Sequence, residues 1–178
     1  MSADLEDDVL RVVPMSVTVM RALADGRMRD AECELGARIS NEWSLPLKVL
    51  ELRIAQLEAS PQRAGWLLGA VVLKAQGLVI GNVGFHGPPG EHLFDQRWPN
   101  VVELGYDIVP GFRRLGYASR AIERLLEWAA SRNASQVVLS IALENLASQR
   151  TADKLGFALI EQYEHDARGR ELLYGRRL

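Results

Sequence analysis

The sequence predicts one α/β domain with a mixed, mostly antiparallel sheet flanked by helices. Two apolar, β-branched runs, Trp66–Leu73 and Leu78–Phe85, are divided by Ala75-Gln76-Gly77, the pattern of a hairpin. Later segments alternate helical spacing with strand-like runs, but not in the regular βαβαβ order of a dinucleotide-binding sheet. A length of 178 residues suits a single domain spanning 1–178.

Taken in order, Val9 to Val13 alternates loosely and reads as a first strand. Ser16 is positioned to cap a helix whose Val19, Met20 and Leu23 share a face before Gly26 ends it. Pro46 opens a second helix, with Leu47, Leu50, Ile54 and Leu57 as its apolar stripe, and Pro61 closes it. The hairpin follows, then a loop from Gly87 to Asn100. Val101 to Val109 is a strand stopped by Pro110-Gly111. Gly116 to Arg132 is a helix burying Ile122, Leu125, Leu126 and Ala129. Gln136 to Leu143 is a strand. Asn145 caps a helix that runs to Leu155 and stops at Gly156. Phe157–Glu164 and Glu171–Arg177 form a last hairpin across Asp166-Ala167-Arg168-Gly169.

Hydrophobic residues make up 48% of the chain and charged residues 25%, which excludes a disordered chain. Lys plus Arg number 21 against 23 Asp plus Glu, so no basic excess supports nucleic acid as a partner. The single cysteine, Cys33, lies between acidic neighbours and reads as a bystander. The three histidines are dispersed along the chain without metal-ligand spacing, so no metal is expected. The most apolar stretch, Trp66–Phe85, is broken by Lys74, Gln76 and Asn82, so no membrane association is expected. The N-terminus is acidic where a signal peptide is basic, and a cytoplasmic location is the expectation.

Chemistry concentrates in Val102 to Ala118. A strand ends, a short turn follows, and a helix begins at Gly116. The first turn of a helix carries unpaired N–H groups and partial positive charge. Gly116 and Ala118 are small enough for close approach, and Arg113 and Arg114 add charge. The segment reads as an anion cradle suited to a pyrophosphate. A basic turn before an amphipathic helix is the plainer alternative.

Arg113-x-x-Gly116-x-Ala118 resembles the R/Q-x-x-G-x-G/A loop of the GNAT superfamily of acetyl-CoA-dependent N-acetyltransferases. Asn145-x-x-Ser148 with Lys154-Leu155-Gly156-Phe157 is similar to a second segment of that superfamily. Glu103-Leu104-Gly105-Tyr106 resembles the E-I-G-Y strand of its ribosomal-protein N-terminal acetyltransferase subgroup.

The resemblance implies acetyl-CoA as co-substrate, in a cleft between two splayed strands, Val101–Val109 and Gln136–Leu143. Backbone N–H groups of Arg113, Arg114, Leu115, Gly116, Tyr117, Ala118 and Ser119 would hold its pyrophosphate. Ile108 and Val109 would pair with the pantetheine arm through their backbone. Asn145 and Ser148 would lie near the thiol, and Lys154 would reach the phosphates or simply face solvent.

Transfer requires an uncharged amine, because an ammonium has no lone pair. Glu103 is the candidate base, directly or through a water, with His86 as a second candidate. Strand alternation puts Glu103, Gly105 and Asp107 on one face, away from Leu104, Tyr106 and Ile108. Where many relatives place a tyrosine as thiolate acid, this chain has Ala152, which leaves Ser148 or water. The acceptor site is expected between Glu42 and Trp43 on one side and Glu91, His92, Asp95 and Trp98 on the other. The acceptor, a peptide N-terminus or a small amine, stays open. A non-catalytic acyl-CoA-binding module of the same fold is the alternative to an enzyme. A homodimer through an exposed edge of the last hairpin is also open.

Overall fold

The computed structural model describes residues 5–165 and 169–178. Thirteen regular elements among these residues form one open sheet covered by helices. They are β1 (Leu10–Pro14), α1 (Val17–Ala24), α2 (Met28–Leu35), β2 (Arg38–Ile39), α3 (Leu47–Ala59), β3 (Leu68–Leu73) and β4 (Leu78–Phe85). There follow β5 (Val101–Ile108), α4 (Tyr117–Ala130), β6 (Gln136–Ala142), α5 (Leu146–Lys154), β7 (Ala158–His165) and β8 (Gly169–Arg177).

The strand order is β1-β3-β4-β5-β6-β8-β7, with β2 joined in parallel to the start of β4. Neighbours on the main path are antiparallel except β5 and β6. That parallel pair matches only Val101–Glu103 with Gln136–Val138. Past these residues the two strands part, and the sheet opens in its middle. Both are nonetheless rich in β-branched residues, and their paired ends are buried.

Local signals set most boundaries. Ser16 accepts the Val19 N–H at the start of α1. Pro14 closes β1 at the sheet edge, where a missing N–H is tolerated. The hairpin of β3 and β4 forms as the sequence predicts. Ile122, Leu125, Leu126 and Ala129 all face the core from α4. Trp128 meets Trp66 edge-on at 4.7 Å between ring centroids and stacks with Phe85 at 6.4 Å. Helix α4 therefore covers the sheet face from which Phe85 and its cross-strand neighbour Leu104 project. Gly84, His86, Glu103 and Gly105 project from the other face.

Two readings are corrected. Helix α2 and β2 lie in a stretch to which the sequence assigned no element. Half of α2 is charged and only Ala31 and Leu35 are buried, so its apolar period is too thin to see. Leu47 is exposed, and α3 packs through Leu50 and Leu57 with Ile54 half-buried. The turn Asp166-Ala167-Arg168 lies outside the described residues.

Candidate active site

The segment expected to form the cradle is the turn from β5 into α4. Arg114 at φ 63 and Gly116 at φ 83 are both left-handed, and α4 starts directly after them. Alternating backbone handedness of this kind turns successive N–H groups toward one concavity. A Cβ placed on Gly116 would meet no atom within 4 Å, so the approach to the backbone is open. Asp7, Gly116, Ser119, Arg120 and Lys154 line a cleft of about 510 Å³ beside it. The structure thus brings Leu115, Gly116, Ser119 and Lys154 together, and Tyr117 and Ala118 form the first turn. Arg113 behaves differently from Arg114. Its guanidinium folds back, with Nε donating to the Ile108 carbonyl at 2.6 Å and Nη2 reaching Asp107 at 3.1 Å. It braces the turn.

The parting edge of β5 faces β6. Val109 N–H donates to the Ile80 carbonyl at 2.9 Å, so it points to β4 and not into the gap. Alternation leaves Tyr106 and Ile108 as the residues whose backbone groups turn toward the gap. Of the predicted pair Ile108 and Val109, only Ile108 is placed for that role. Asn145 caps α5 by accepting the Ser148 N–H at 3.1 Å, with Ser148 half-buried in the first turn of the helix. Ala152 is fully buried.

Glu103 lies on the opposite side of β5 from α4 and is 6% exposed. One oxygen, Oε2, meets His86 Nδ1 at 2.8 Å and His92 Nε2 at 2.9 Å. Burial raises the carboxyl pKa, but hydrogen bonds from His86, His92 and Ser140 outweigh it and hold Glu103 well below the usual carboxylate range. Ser140 Oγ lies 2.9 Å from the Tyr163 hydroxyl, which is itself 2.9 Å from Glu171 Oε2. Burial pushes the Tyr163 hydroxyl up to about 12, so it stays protonated. Arg53 of α3 donates to the His86 carbonyl at 3.1 Å and adds positive charge near the cluster.

Two of the histidines that are dispersed in sequence thus converge. Two imidazoles and a carboxylate form a donor set that metals also use. The hydrogen bonds fit protons instead. His92 Nδ1 accepts the Phe94 N–H at 3.3 Å, so its proton is on Nε2, the nitrogen aimed at Glu103. A metal-bound imidazole needs the reverse, a lone pair toward the ion and an acceptor behind it.

The remaining acceptor-site residues mostly serve the loop. Glu91 pairs with Arg63 at 2.7 Å, and Asp95 accepts the Asn100 N–H at 2.7 Å. Trp98 packs on Phe94, and both join a small apolar cluster on Val101, Val138 and Leu173. That packing fixes the loop and delivers His92 to Glu103. Trp43 is buried and donates to Asn82, while Glu42 accepts the Gly111 N–H. His92, Ser140, Tyr163 and Arg53 carried no local signal of their place at Glu103, since each arrives from a different element.

Residues 34–158 match the acetyltransferase (GNAT) domain family, and the chain belongs to that family. It is an acetyltransferase, with acetyl-CoA as co-substrate. The "Uncharacterized N-acetyltransferase YjdG" of Bacillus subtilis (strain 168) is 29% identical over 167 residues, covering 90% of this chain and 95% of its own. Among solved structures, the microcin C7 self-immunity acetyltransferase MccE, in complex with acetyl-CoA and AMP, superposes with a TM-score of 0.68 at 14% identity. The match covers 99% of this chain and 100% of that one. An acetyltransferase from Salmonella typhimurium that modifies the N-terminal serine of ribosomal protein L7/L12 superposes at 0.67 with 15% identity. It covers 97% of this chain and 96% of that one. No described helix is long and apolar enough to cross a membrane.

Proposed function

We propose that the protein transfers the acetyl group of acetyl-CoA directly to a primary amine, of a peptide N-terminus or a small molecule. One observation carries this reading. The strand β5 ends in the anion cradle and holds the Glu103 cluster near its middle, on either side of the point where it parts from β6. A donor arm laid along that gap would have its phosphates at Gly116 and its reactive end near Gly105.

Backbone N–H groups from Arg113 to Ser119 would bind the pyrophosphate, helped by Arg114 and by Lys154 across the cleft. Ile108 would hold the arm through its backbone. Acetyl-CoA supplies the activated acyl carbon. The His86–Glu103 pair would take a proton from the acceptor amine. Ser148, half-buried at the start of α5, would return one to the leaving sulfur in place of the tyrosine that Ala152 replaces. An N-terminal peptide acceptor is supported by the likeness to the Salmonella enzyme. A second copy would pair through β7, at the sheet edge; elution as a dimer at micromolar concentration supports this, and elution as a monomer excludes it.

Calorimetric titration with acetyl-CoA, with desulfo-CoA as unreactive control, tests the cradle. A screen of N-terminal peptides and small amines, read by thiol release, tests the transfer. Micromolar binding with thiol release on amine addition is the expected result. Absence of binding at millimolar acetyl-CoA overturns the reading.

A further inference from the structure

The hydrogen bonds around Glu103 determine where its neighbours carry their protons. His92 Nδ1 accepts the Phe94 N–H, so the His92 proton sits on Nε2 and is donated to Glu103 Oε2. An ionised carboxylate only accepts, so His86 Nδ1, 2.8 Å from the same oxygen, carries a proton as well. The neutral ring with its proton there has its lone pair on Nε2.

That nitrogen stands over Gly105 of β5. His86 Nε2 lies 3.3 Å from where a Cβ would stand on Gly105. Gly105 is the first residue on Glu103's face beyond the stretch where β5 pairs with β6. The His86 side chain is 36% exposed and that of Glu103 only 8%, so the imidazole is the member of the pair a substrate can reach. Both lone-pair directions of Glu103 Oε2 are already filled by imidazole donors.

We infer that His86 Nε2 is the atom that takes the proton from the acceptor amine, and that Glu103 and His92 are positioning residues behind it. This rests on the acetyl-transfer reading above. The neutral amine nitrogen forms a bond to the acetyl carbon, and the carbon–sulfur bond breaks with its electron pair going to sulfur. One amine proton moves to His86 Nε2 and one proton is delivered to sulfur, giving the N-acetyl product and the CoA thiol. The charged groups facing His86 are Glu103 of β5, His92 of the loop and Arg53 of α3, with Asp107 farther along the same face.

The chain has three histidines, so long-range ¹H–¹⁵N imidazole spectra are simple to assign with His86→Gln and His92→Gln. At about pH 8, where free imidazole is neutral, His86 should show the Nδ1–H form and His92 the Nε2–H form. His86→Gln should lower kcat about 100-fold with acetyl-CoA affinity unchanged, and His86→Asn should do the same. Glu103→Gln should mix the two His86 tautomers and lower kcat by a smaller factor. A wild-type His86 with its proton on Nε2, or a His86→Gln enzyme that keeps its rate, overturns the inference alone. A wild-type protein that binds no acetyl-CoA overturns the reading beneath it.

Discussion

Glu103 is ionised at a place where burial by itself would favour the neutral acid, because two imidazoles and Ser140 solvate the charge. A carboxylate whose folded pKa is depressed adds stability above its unfolded value and loses it as pH falls through the folded value. The stability gap between wild type and Glu103→Gln should therefore be full at neutral pH and shrink below about pH 4, near the ordinary glutamate pKa. Thermal melts across pH 3–7, a range of about four units, check this; a gap that widens on acidification would contradict it. The two arginines of the cradle divide the work. Arg113 braces β5, whereas Arg114 sits in the left-handed turn. Replacing both by Glu should weaken acetyl-CoA binding by ~2–4 kcal/mol, since the Arg114 contact is lost, the Arg113 brace is broken and two repulsive charges face the phosphates. Calorimetry reads the loss directly, and unchanged affinity would place the cradle elsewhere.

At the scale of elements, strand β4 must pass unusually close to its neighbours. A Cβ on Gly84 would lie 2.1 Å from the Leu67 carbonyl oxygen, a backbone atom that cannot swing aside. Gly84→Ala should cost about 2 kcal/mol or more of unfolding free energy, measured by denaturant titration. A loss under half that would mean the β3–β4 pair yields easily. The loop before β5 is the other critical element. Phe94 and Trp98 anchor it on Val101, Val138 and Leu173, and through it they hold His92. Phe94→Ala should lower kcat roughly tenfold by loosening the cluster while sparing acetyl-CoA affinity, because the cradle lies at the far end of β5. Steady-state kinetics beside calorimetry separate the two effects. Most elements were legible because their period or caps were strong, as with Ser16, Asn145 and the face of α4. Helix α2 was not, because four charges in eight residues leave only Ala31 and Leu35 to mark its buried side.

For the molecule as a whole, the sheet is two antiparallel halves joined by a short parallel seam, Val101–Glu103 against Gln136–Val138. A ligand inserted along the gap below that seam touches both halves and binds only the folded chain. Acetyl-CoA at 100 times its Kd should add about 2.7 kcal/mol and raise the melting temperature by roughly 5–10 °C. A scan with and without the ligand measures it, and an unchanged midpoint would argue against binding at the seam. The residues of Val102 to Ala118 and Asn145 to Phe157 made the family recognisable, since a strand, turn and helix start are local features that neighbouring side chains specify. Glu103 was legible for the same reason, as a carboxylate alternating with Gly105 and Asp107 on one strand. Its surroundings were not. His86, His92, Ser140, Tyr163 and Arg53 come from four other strands and helices and one long loop, and only packing sets their distances. Sequence alone determined the class of reaction, through motifs whose residues lie close together in the chain. The proton positions around Glu103 were decided by tertiary structure, because a hydrogen bond between residues far apart in the chain exists only once the chain has folded.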